Sequence, residues 1–564
     1  SFHAVHIHMR IRRRSQLSVI AIGGTGMRCL ESFVHLCAMG LFDNQTIDIL
    51  TLDTDQSNGN KGRVENLIEL YNKIKSDDAN NIDGGRPNAD TFFSAKINLY
   101  KFYTVYGDAN RKTYKILSGV NSGLHKDENT DLTDLFFDED SVQSFELDHG
   151  YRAQTHLGSL LMYHGIVEAA RNVSRNADAA STAEKDLRKF LEALQEAQNS
   201  ARVFVFGSIF GGTGASSIPV IPVALRDGIN ILSDGTKTLN TNVVKFGSTL
   251  LTDYFTFTAP DSEQKKNDKV IADANNFALN CQAALQFYQA DPTVRSTYKR
   301  FYHIGWPFPA INVTSKNKTI TGGQEQKNAC HVVELMCACA AYDFFTLDEK
   351  ELTNETAKYF FRTFDEKEGQ VSLHGSDFIT NGKAFESKLG SLFSLAHIIL
   401  SQYDAAWSEA DGSGTKGLLN RFAQQNIHDY DSITDGQAKD LDKYFSDYFG
   451  YRFGTDGLMQ KGWIYQVKAS VPGRFIFIDE AFKEQKKDMK NISCGHLFED
   501  DQHNWSKLSG LISKSDNSVD VLIKKLGDAD AKPAGNQNVQ TTKEKFLAHV
   551  HNAITKNQNI NEKN

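Results

Sequence analysis

Short apolar runs alternate with amphipathic stretches in the first half of the chain. The runs at 17–22 and 47–52 have the length of buried strands, and residues 27–40 between them repeat apolar positions at helical spacing. Further apolar runs of strand length follow at 202–207 and 243–251. Strands that alternate with helices predict an α/β fold with a doubly wound, mostly parallel sheet.

Other stretches predict an insertion and later helices. Residues 76–90 are polar and residues 127–148 acidic, so we expect an exposed insertion around 75–150. A long helix is predicted over roughly 270–290, and an Ala- and Cys-rich buried helix from about Ala329 to Phe345.

Composition and charge exclude several classes of protein. The 564 residues include 62 basic and 70 acidic side chains, a net charge of −8 that gives no general attraction for nucleic acid or an anionic membrane. No run of 18 apolar residues predicts a membrane span. The seven cysteines form no Cys-x-x-Cys pair, so we interpret them as reduced thiols and expect a cytoplasmic protein.

One tetrapeptide, Gly-Gly-Thr-Gly, occurs twice, each time between an apolar strand and a predicted helix. Glycine allows close backbone approach, and the N-terminus of the following helix attracts anions. Two such loops at one edge of a sheet can hold a polyphosphate from two sides. The predicted phosphate-binding residues are Gly23, Gly24, Thr25, Gly26 and Met27 in the first loop and Gly211, Gly212, Thr213, Gly214, Ala215 and Ser216 in the second.

Two common nucleotide motifs are not matched. The dinucleotide fingerprint fails at its third glycine, where Cys29 stands, and no Walker A motif is present. A P-loop NTPase is therefore disfavoured, and a Rossmann-type oxidoreductase remains a weaker alternative.

Five segments resemble the nucleotide loops of tubulin and its bacterial relative FtsZ, and they occur in that family's order. Residues 210–220 look like the phosphate-binding glycine loop, and residues 21–28 resemble the first loop. Residues 52–56, 150–158 and 252–257 resemble the second, third and fifth loops. The chain therefore resembles the tubulin/FtsZ superfamily, and most closely the bacterial tubulin-like proteins.

This resemblance implies a domain organisation. It implies a GTPase domain with a doubly wound, mostly parallel sheet, joined by a central helix to a second α/β domain. The expected units are an N-terminal arm at 1–16, a nucleotide-binding domain at 17–269 with the insertion around 75–150, a central helix at 270–290, a second α/β domain at 291–525, and a linker with a C-terminal helix at 526–564.

The resemblance also implies the ligands, which are GTP or GDP with Mg²⁺. Asp55 would place the metal or its water, and Asn280, or Asn276 one turn earlier, would contact the guanine base. The implied ligands from the second and third loops are Asp53, Thr54, Asp55 and Arg152.

The segment 322–335 is similar to the catalytic loop that tubulins insert into the nucleotide site of the next subunit. The family has an Asn followed by acidic residues two and five positions later, whereas Asn328 is followed by His331 and Glu334. Glu334 is the candidate to orient the attacking water and His331 could assist, although both also suit a helix start. The family implies that subunits stack head to tail into filaments and that hydrolysis depends on assembly.

A second hypothesis belongs to a different class. The altered catalytic loop favours a nucleotide-binding switch or scaffold that neither polymerises nor hydrolyses GTP. Such a protein would dock a partner protein through the insertion or through the predicted helix at 543–555. Nothing in the sequence selects a cellular role.

Overall fold

The computed structural model describes the parts of the chain that form the first sheet and its helices, and smaller parts of the rest. The described residues are 16–55, 57–76, 83–104, 155–257, 273–307, 311–312, 330–363, 365–367, 370–374, 384–385, 388–389, 391–392, 395, 440–449, 451–453, 459–461, 467–471, 474–477 and 537–562. Arg152, Asn328, residues 105–150 of the predicted insertion and residues 1–15 of the predicted arm lie outside these residues. The prediction of an exposed insertion is wrong for residues 91–103, because 91–95 are buried and 96–103 form a strand of the main sheet.

Seven parallel strands form the main sheet, in the order β3-β2-β1-β4-β5-β7-β9. This confirms the predicted α/β fold with a doubly wound parallel sheet. The strand order reverses between β1 and β4, because the chain builds outward from β1 to β3 and then crosses back. The strands are β1 (Gln16–Ile22), β2 (Thr46–Asp53), β3 (Lys96–Tyr103), β4 (Ala201–Phe206), β5 (Lys245–Leu251), β7 (Tyr298–Ile304) and β9 (Lys358–Arg362).

Helices cover both faces of this sheet. On one face Phe204 contacts Phe344 with ring centroids 5.6 Å apart, and on the other Phe301 contacts Tyr288 at 6.2 Å. The α-helices are α1 (Gly23–Ala38), α2 (Gly59–Lys75), α3 (Thr155–Arg175), α4 (Thr182–Ala197), α5 (Gly212–Ser217), α6 (Ile221–Leu232), α7 (Phe277–Ala290), α8 (Pro292–Thr297), α9 (Val332–Thr346) and α10 (Thr542–Glu562).

Helix α1 is almost completely buried. This helix packs against α2 and α9 as well as the sheet, so 14 of its 16 residues are buried. Strands β1 and β4 are apolar along nearly their whole length, as expected for parallel strands covered on both faces. The central strands and α1 therefore form a rigid base for the loops that join them.

The sheet continues past the predicted domain boundary at residue 290. Helix α7 lies within the predicted central helix, but α8 leads the chain from it directly into β7. Strand β7 pairs with β5, and β9 pairs with β7, so the first sheet extends to Arg362. Strands β7 and β9 thus lie within the segment predicted as a second domain but form part of the first sheet.

Smaller strands lie elsewhere. β10 (Asp365–Lys367), β11 (Gln370–His374), β14 (Val467–Val471) and β15 (Arg474–Phe477) form a four-stranded antiparallel sheet. Two-stranded pairs join β6 (Phe255–Thr256) to β8 (Ile311–Asn312) and β12 (Tyr451–Phe453) to β13 (Met459–Lys461). Single turns of 3₁₀ helix span Ala274–Asn276 and Glu349–Leu352, and a π-helical turn spans Tyr444–Phe449.

The C-terminal helix α10 packs on the end of α2. Lys543 Nζ donates hydrogen bonds to Lys73 O at 3.0 Å and Ser76 O at 2.7 Å, and Glu544 pairs with Arg86 at 3.1 Å. The apolar side of α10 is buried against the chain itself, so a partner protein would have to use another side of this helix. None of the helices in the described ranges combines the length and apolar character that crossing a membrane requires.

Candidate functional site

The two Gly-Gly-Thr-Gly loops lie side by side at the carboxyl edge of the main sheet. They follow β1 and β4, which are adjacent parallel strands with Ala21 opposite Phe206. A Cβ atom added to Gly23 would lie 3.2 Å from Thr213 Cβ, so the loops touch. In open α/β sheets, ligands bind in the crevice at the point where the strand order reverses, and both loops stand at that point.

Close packing explains why glycine occurs at three positions in these loops. Gly23 has a φ of +68°, a conformation that other residues rarely adopt. A Cβ on Gly26 would lie 2.5 Å from Phe206 O, and one on Gly214 would lie 2.6 Å from Ser208 O. The glycines therefore allow α1 and α5 to begin directly against the end of β4.

The start of α1 has no side-chain cap. Its N-cap residue is Ile22, which makes no capping hydrogen bond. Helices α5, α6 and α7 also begin without a side-chain cap, whereas α2, α4, α8 and α9 are capped by Asn58, Ser181, Asp291 and His331. Because the first N–H groups of a helix need acceptors, the start of α1 is suited to an anionic ligand.

The end of β2 places two predicted carboxylates at the same edge. Asp53 Oδ1 accepts hydrogen bonds from Thr54 N at 2.8 Å and Asp55 N at 3.2 Å, while Asp53 Oδ2 is buried without a hydrogen-bond partner. Burial, together with the charge of Asp55, raises the pKa of Asp53 to about 7. Asp55 Oδ1 accepts from Ser57 N at 3.1 Å and Ser57 Oγ at 3.0 Å.

Arg28, just beyond the first glycine loop, points into the core. Its guanidinium pairs with Glu31, contacts Cys330 Sγ at 2.9 Å, and lies 3.7 Å from Glu334 Oε2. Arg63 on α2 also pairs with Glu31, at 3.0 Å. Arg28 is thus part of a buried network of charged side chains inside the subunit.

Glu334, the predicted catalytic acid, is fully buried at the start of α9. Its Oε1 accepts from Tyr254 OH at 2.8 Å and its Oε2 from His331 N at 3.2 Å. Burial raises the pKa of Glu334 to about 7, against the opposing effect of Arg28. The carboxylate therefore forms part of a helix cap inside the subunit, and its catalytic role stays a prediction.

His331, the predicted assistant, is the N-cap residue of α9. Its Nδ1 accepts from Val333 N at 3.1 Å, and its ring packs against Trp306 and Tyr254 with centroids 4.5 and 5.0 Å away. Burial lowers the pKa of His331 to about 3, so the ring is neutral near pH 7. To reach the site of a neighbouring subunit, His331 and Glu334 would have to leave the core.

The candidate base-reading residues occupy different environments. Asn280 Nδ2 donates to Phe210 O at 3.3 Å, so this side chain contacts the backbone just before the second glycine loop. Asn276 is exposed at the end of a 3₁₀ turn before α7. The structure thus brings Asn280 to the site as a contact of the loop, and base recognition by either residue stays a prediction.

Residues that the sequence interpretation did not select also contact the second glycine loop and the helix that follows it. Tyr288, Tyr298 and Ser159 donate hydrogen bonds to the carbonyl oxygens of Ala215, Ile218 and Ser216. The sequence does carry a signal for two of these contacts, because prolines at 219 and 222 remove backbone donors nearby.

Comparison of the chain with protein-family models, with curated proteins and with solved structures found no match in any of the three. The fold shown by the chain itself is a helix-flanked seven-stranded parallel sheet, compatible with a Rossmann-like α/β fold. A more specific assignment therefore depends on the loops and their geometry.

Proposed function

We propose that this chain is a tubulin/FtsZ-like protein that binds GTP through the loops at 23–27 and 211–216. The observation that carries the proposal is the contact between the two glycine loops at the reversal of strand order. The uncapped start of α1 supports it, since backbone N–H groups and the helix dipole favour phosphate there. The five motif resemblances in family order support GTP as the nucleotide.

The acidic residues at the end of β2 fit a magnesium ion that arrives with the nucleotide. Within the described ranges, no group of three or more His, Cys, Asp or Glu side chains is arranged to hold a metal. Mg²⁺ is commonly bound by one or two carboxylates together with substrate phosphates. The buried Oδ2 of Asp53 and the carboxylate of Asp55 supply the hard oxygen donors that this arrangement uses.

A binding titration tests this proposal. Fluorescent GTP would be titrated with and without Mg²⁺, and displaced by GTP, ATP or NAD. We expect GTP to bind more tightly with Mg²⁺, and Asp55→Asn to lose most of that Mg²⁺ dependence while the exposed control Asp178→Asn keeps it. Absence of GTP binding at millimolar concentration would refute the proposal, and displacement by NAD alone would support a dinucleotide enzyme instead.

Filament formation with hydrolysis and a non-hydrolysing switch are the two versions of this function. The motif resemblance supports GTP hydrolysis at a site shared between stacked subunits. The burial of Glu334 in the cap of α9 favours a switch or scaffold that retains uncleaved GTP.

Phosphate release measured against protein concentration separates the two versions. Specific activity that rises steeply with concentration, with sedimenting polymers formed only with GTP, would support the filament. Tight GTP binding by a monodisperse protein without phosphate release would support the switch. Activity independent of concentration would indicate a self-contained site and refute the shared one.

A further inference from the structure

The helical segment after the second glycine loop is interrupted by two prolines. Helix α5 ends at Ser217 and α6 begins at Ile221, and Pro219 and Pro222 stand at this interruption. In an α-helix the N–H of each residue bonds to the carbonyl four residues earlier, and proline has no N–H. The carbonyl oxygens of Ala215 and Ile218 therefore lack their usual helical donors.

Two buried tyrosines supply the missing donors. Tyr288 OH donates to Ala215 O at 2.5 Å, and Tyr298 OH donates to Ile218 O at 2.5 Å. These are the two carbonyls that Pro219 and Pro222 leave without a backbone partner. Both tyrosine side chains are at most 1% exposed, so water cannot replace either hydroxyl without entering the core.

The same elements hold the other end of the loop. Asn280 is on α7, as is Tyr288, and its amide donates to Phe210 O just before Gly211. Ser159 Oγ on α3 donates to Ser216 O at 2.7 Å. Side chains from three other elements, α3, α7 and β7, thus fix the backbone from 210 to 218.

We propose that Tyr288 and Tyr298 are positioning residues of the second glycine loop. Their hydroxyls replace two backbone hydrogen bonds and so hold residues 211–216 at the distance from the first loop that a shared phosphate ligand requires. The inference rests on the proposed GTP site, because positioning is measured here as nucleotide affinity.

A hydrogen-bond exchange tests the proposal. Tyr288→Phe leaves Ala215 O buried without a donor, and we expect the affinity for fluorescent GTP with Mg²⁺ to fall roughly tenfold. Pro219→Ala restores the N–H that can bond to Ala215 O. In the Pro219→Ala background, Tyr288→Phe should therefore lower affinity by no more than about twofold, because the backbone donor has taken over.

Tyr71→Phe is the matched control. Tyr71 is also fully buried, and its hydroxyl donates to a backbone carbonyl, Ala95 O, at 2.8 Å. That carbonyl precedes β3, at the opposite edge of the sheet from the glycine loops. Tyr71→Phe should lower the urea midpoint and leave GTP affinity unchanged, which separates loss of stability from loss of positioning.

Each outcome decides a different point. Wild-type protein that does not bind GTP refutes the proposed function before any variant is made. If the wild-type protein binds GTP and Tyr288→Phe behaves like Tyr71→Phe, with a lower urea midpoint and unchanged GTP affinity, the positioning role is overturned. A weakened Tyr288→Phe variant that Pro219→Ala does not rescue overturns the hydrogen-bond exchange. If Tyr288→Phe does not fold, Tyr298→Phe with Pro222→Ala provides the same cycle at Ile218.

Discussion

Gly26 and Gly62 occupy equivalent places in two helices, yet replacing them with alanine should change the free energy of unfolding in opposite directions. Each glycine is the fourth residue of its helix, in α1 and α2 respectively. A Cβ at Gly26 would lie 2.5 Å from Phe206 O, whereas a Cβ at Gly62 would meet no atom within 4 Å. The pair therefore separates helix propensity from packing.

The expected changes in the free energy of unfolding follow from these contacts. Alanine in a helix interior is favoured over glycine by about 0.5–1 kcal/mol, so Gly62→Ala should raise the free energy of unfolding by that amount. At Gly26 the same gain is opposed by overpacking against the backbone of a central strand, which costs about 1–3 kcal/mol. Gly26→Ala should therefore lower the free energy of unfolding by roughly 1 kcal/mol, and by at most about 2.5 kcal/mol.

Urea denaturation and GTP titration of both variants check this prediction. Gly26→Ala should also weaken GTP binding, because relief of the clash moves the start of α1 away from β4, while Gly62→Ala should bind as the wild type does. Equal stabilisation by both substitutions would refute the close approach of α1 to Phe206 O. A destabilised Gly26→Ala variant with full affinity would show that the first glycine loop does not hold the phosphates.

Three further substitutions test the charged and polar contacts. Because burial raises the pKa of Glu334 from 4.5 to about 7, its contribution to stability is complete below about pH 4.5 and is lost as the pH rises to about 7. Glu334→Gln should remove this part of the pH dependence, up to about 3 kcal/mol, in urea midpoints measured from pH 4 to 8. Asp53→Asn should raise stability above pH 7, where the Asp53 carboxylate is otherwise ionised beside Asp55, and should weaken the Mg²⁺ dependence of GTP binding; unchanged stability at pH 8 would contradict the assigned burial cost. Lys543→Met removes the hydrogen bonds to Lys73 O and Ser76 O, so the free energy of opening of α10, measured by amide hydrogen exchange, should fall by about 1–3 kcal/mol. Unchanged exchange would show that α10 is held by its apolar side alone.

The first part of the fold could be predicted because its signals agree with one another. The runs at 17–22 and 47–52 are apolar since β1 and β2 are covered on both faces, and the residues between them repeat at helical spacing. Sequence spacing placed a glycine loop after each of two strands. The adjacency of β1 and β4, which brings the loops into contact, is long-range and appears only in the structure.

Strand β7 was missed because charged residues interrupt its pattern. Its sequence includes Lys299 and Arg300, yet both side chains are largely buried. Lys299 Nζ donates to the carbonyls of Ser296 and Asn354, and Arg300 lies 3.8 Å from Asp343. Two of these partners, Asn354 and Asp343, are distant in sequence, so hydropathy alone does not predict a buried strand there.

Glu334 shows why a motif and a helix cap are hard to separate in a sequence. A polar residue three positions before an acidic one is the spacing of a capping box, and His331 with Glu334 forms that box here. The same spacing lies close to the catalytic pattern that the family resemblance suggested. The structure adds that Glu334 also faces Arg28, which is buried beside Glu31. Moving Glu334 into a neighbouring subunit would remove one carboxylate from beside the Arg28 guanidinium and would leave the start of α9 without its cap. Hydrolysis by this residue would therefore require that assembly stabilise the start of α9 in this uncapped form.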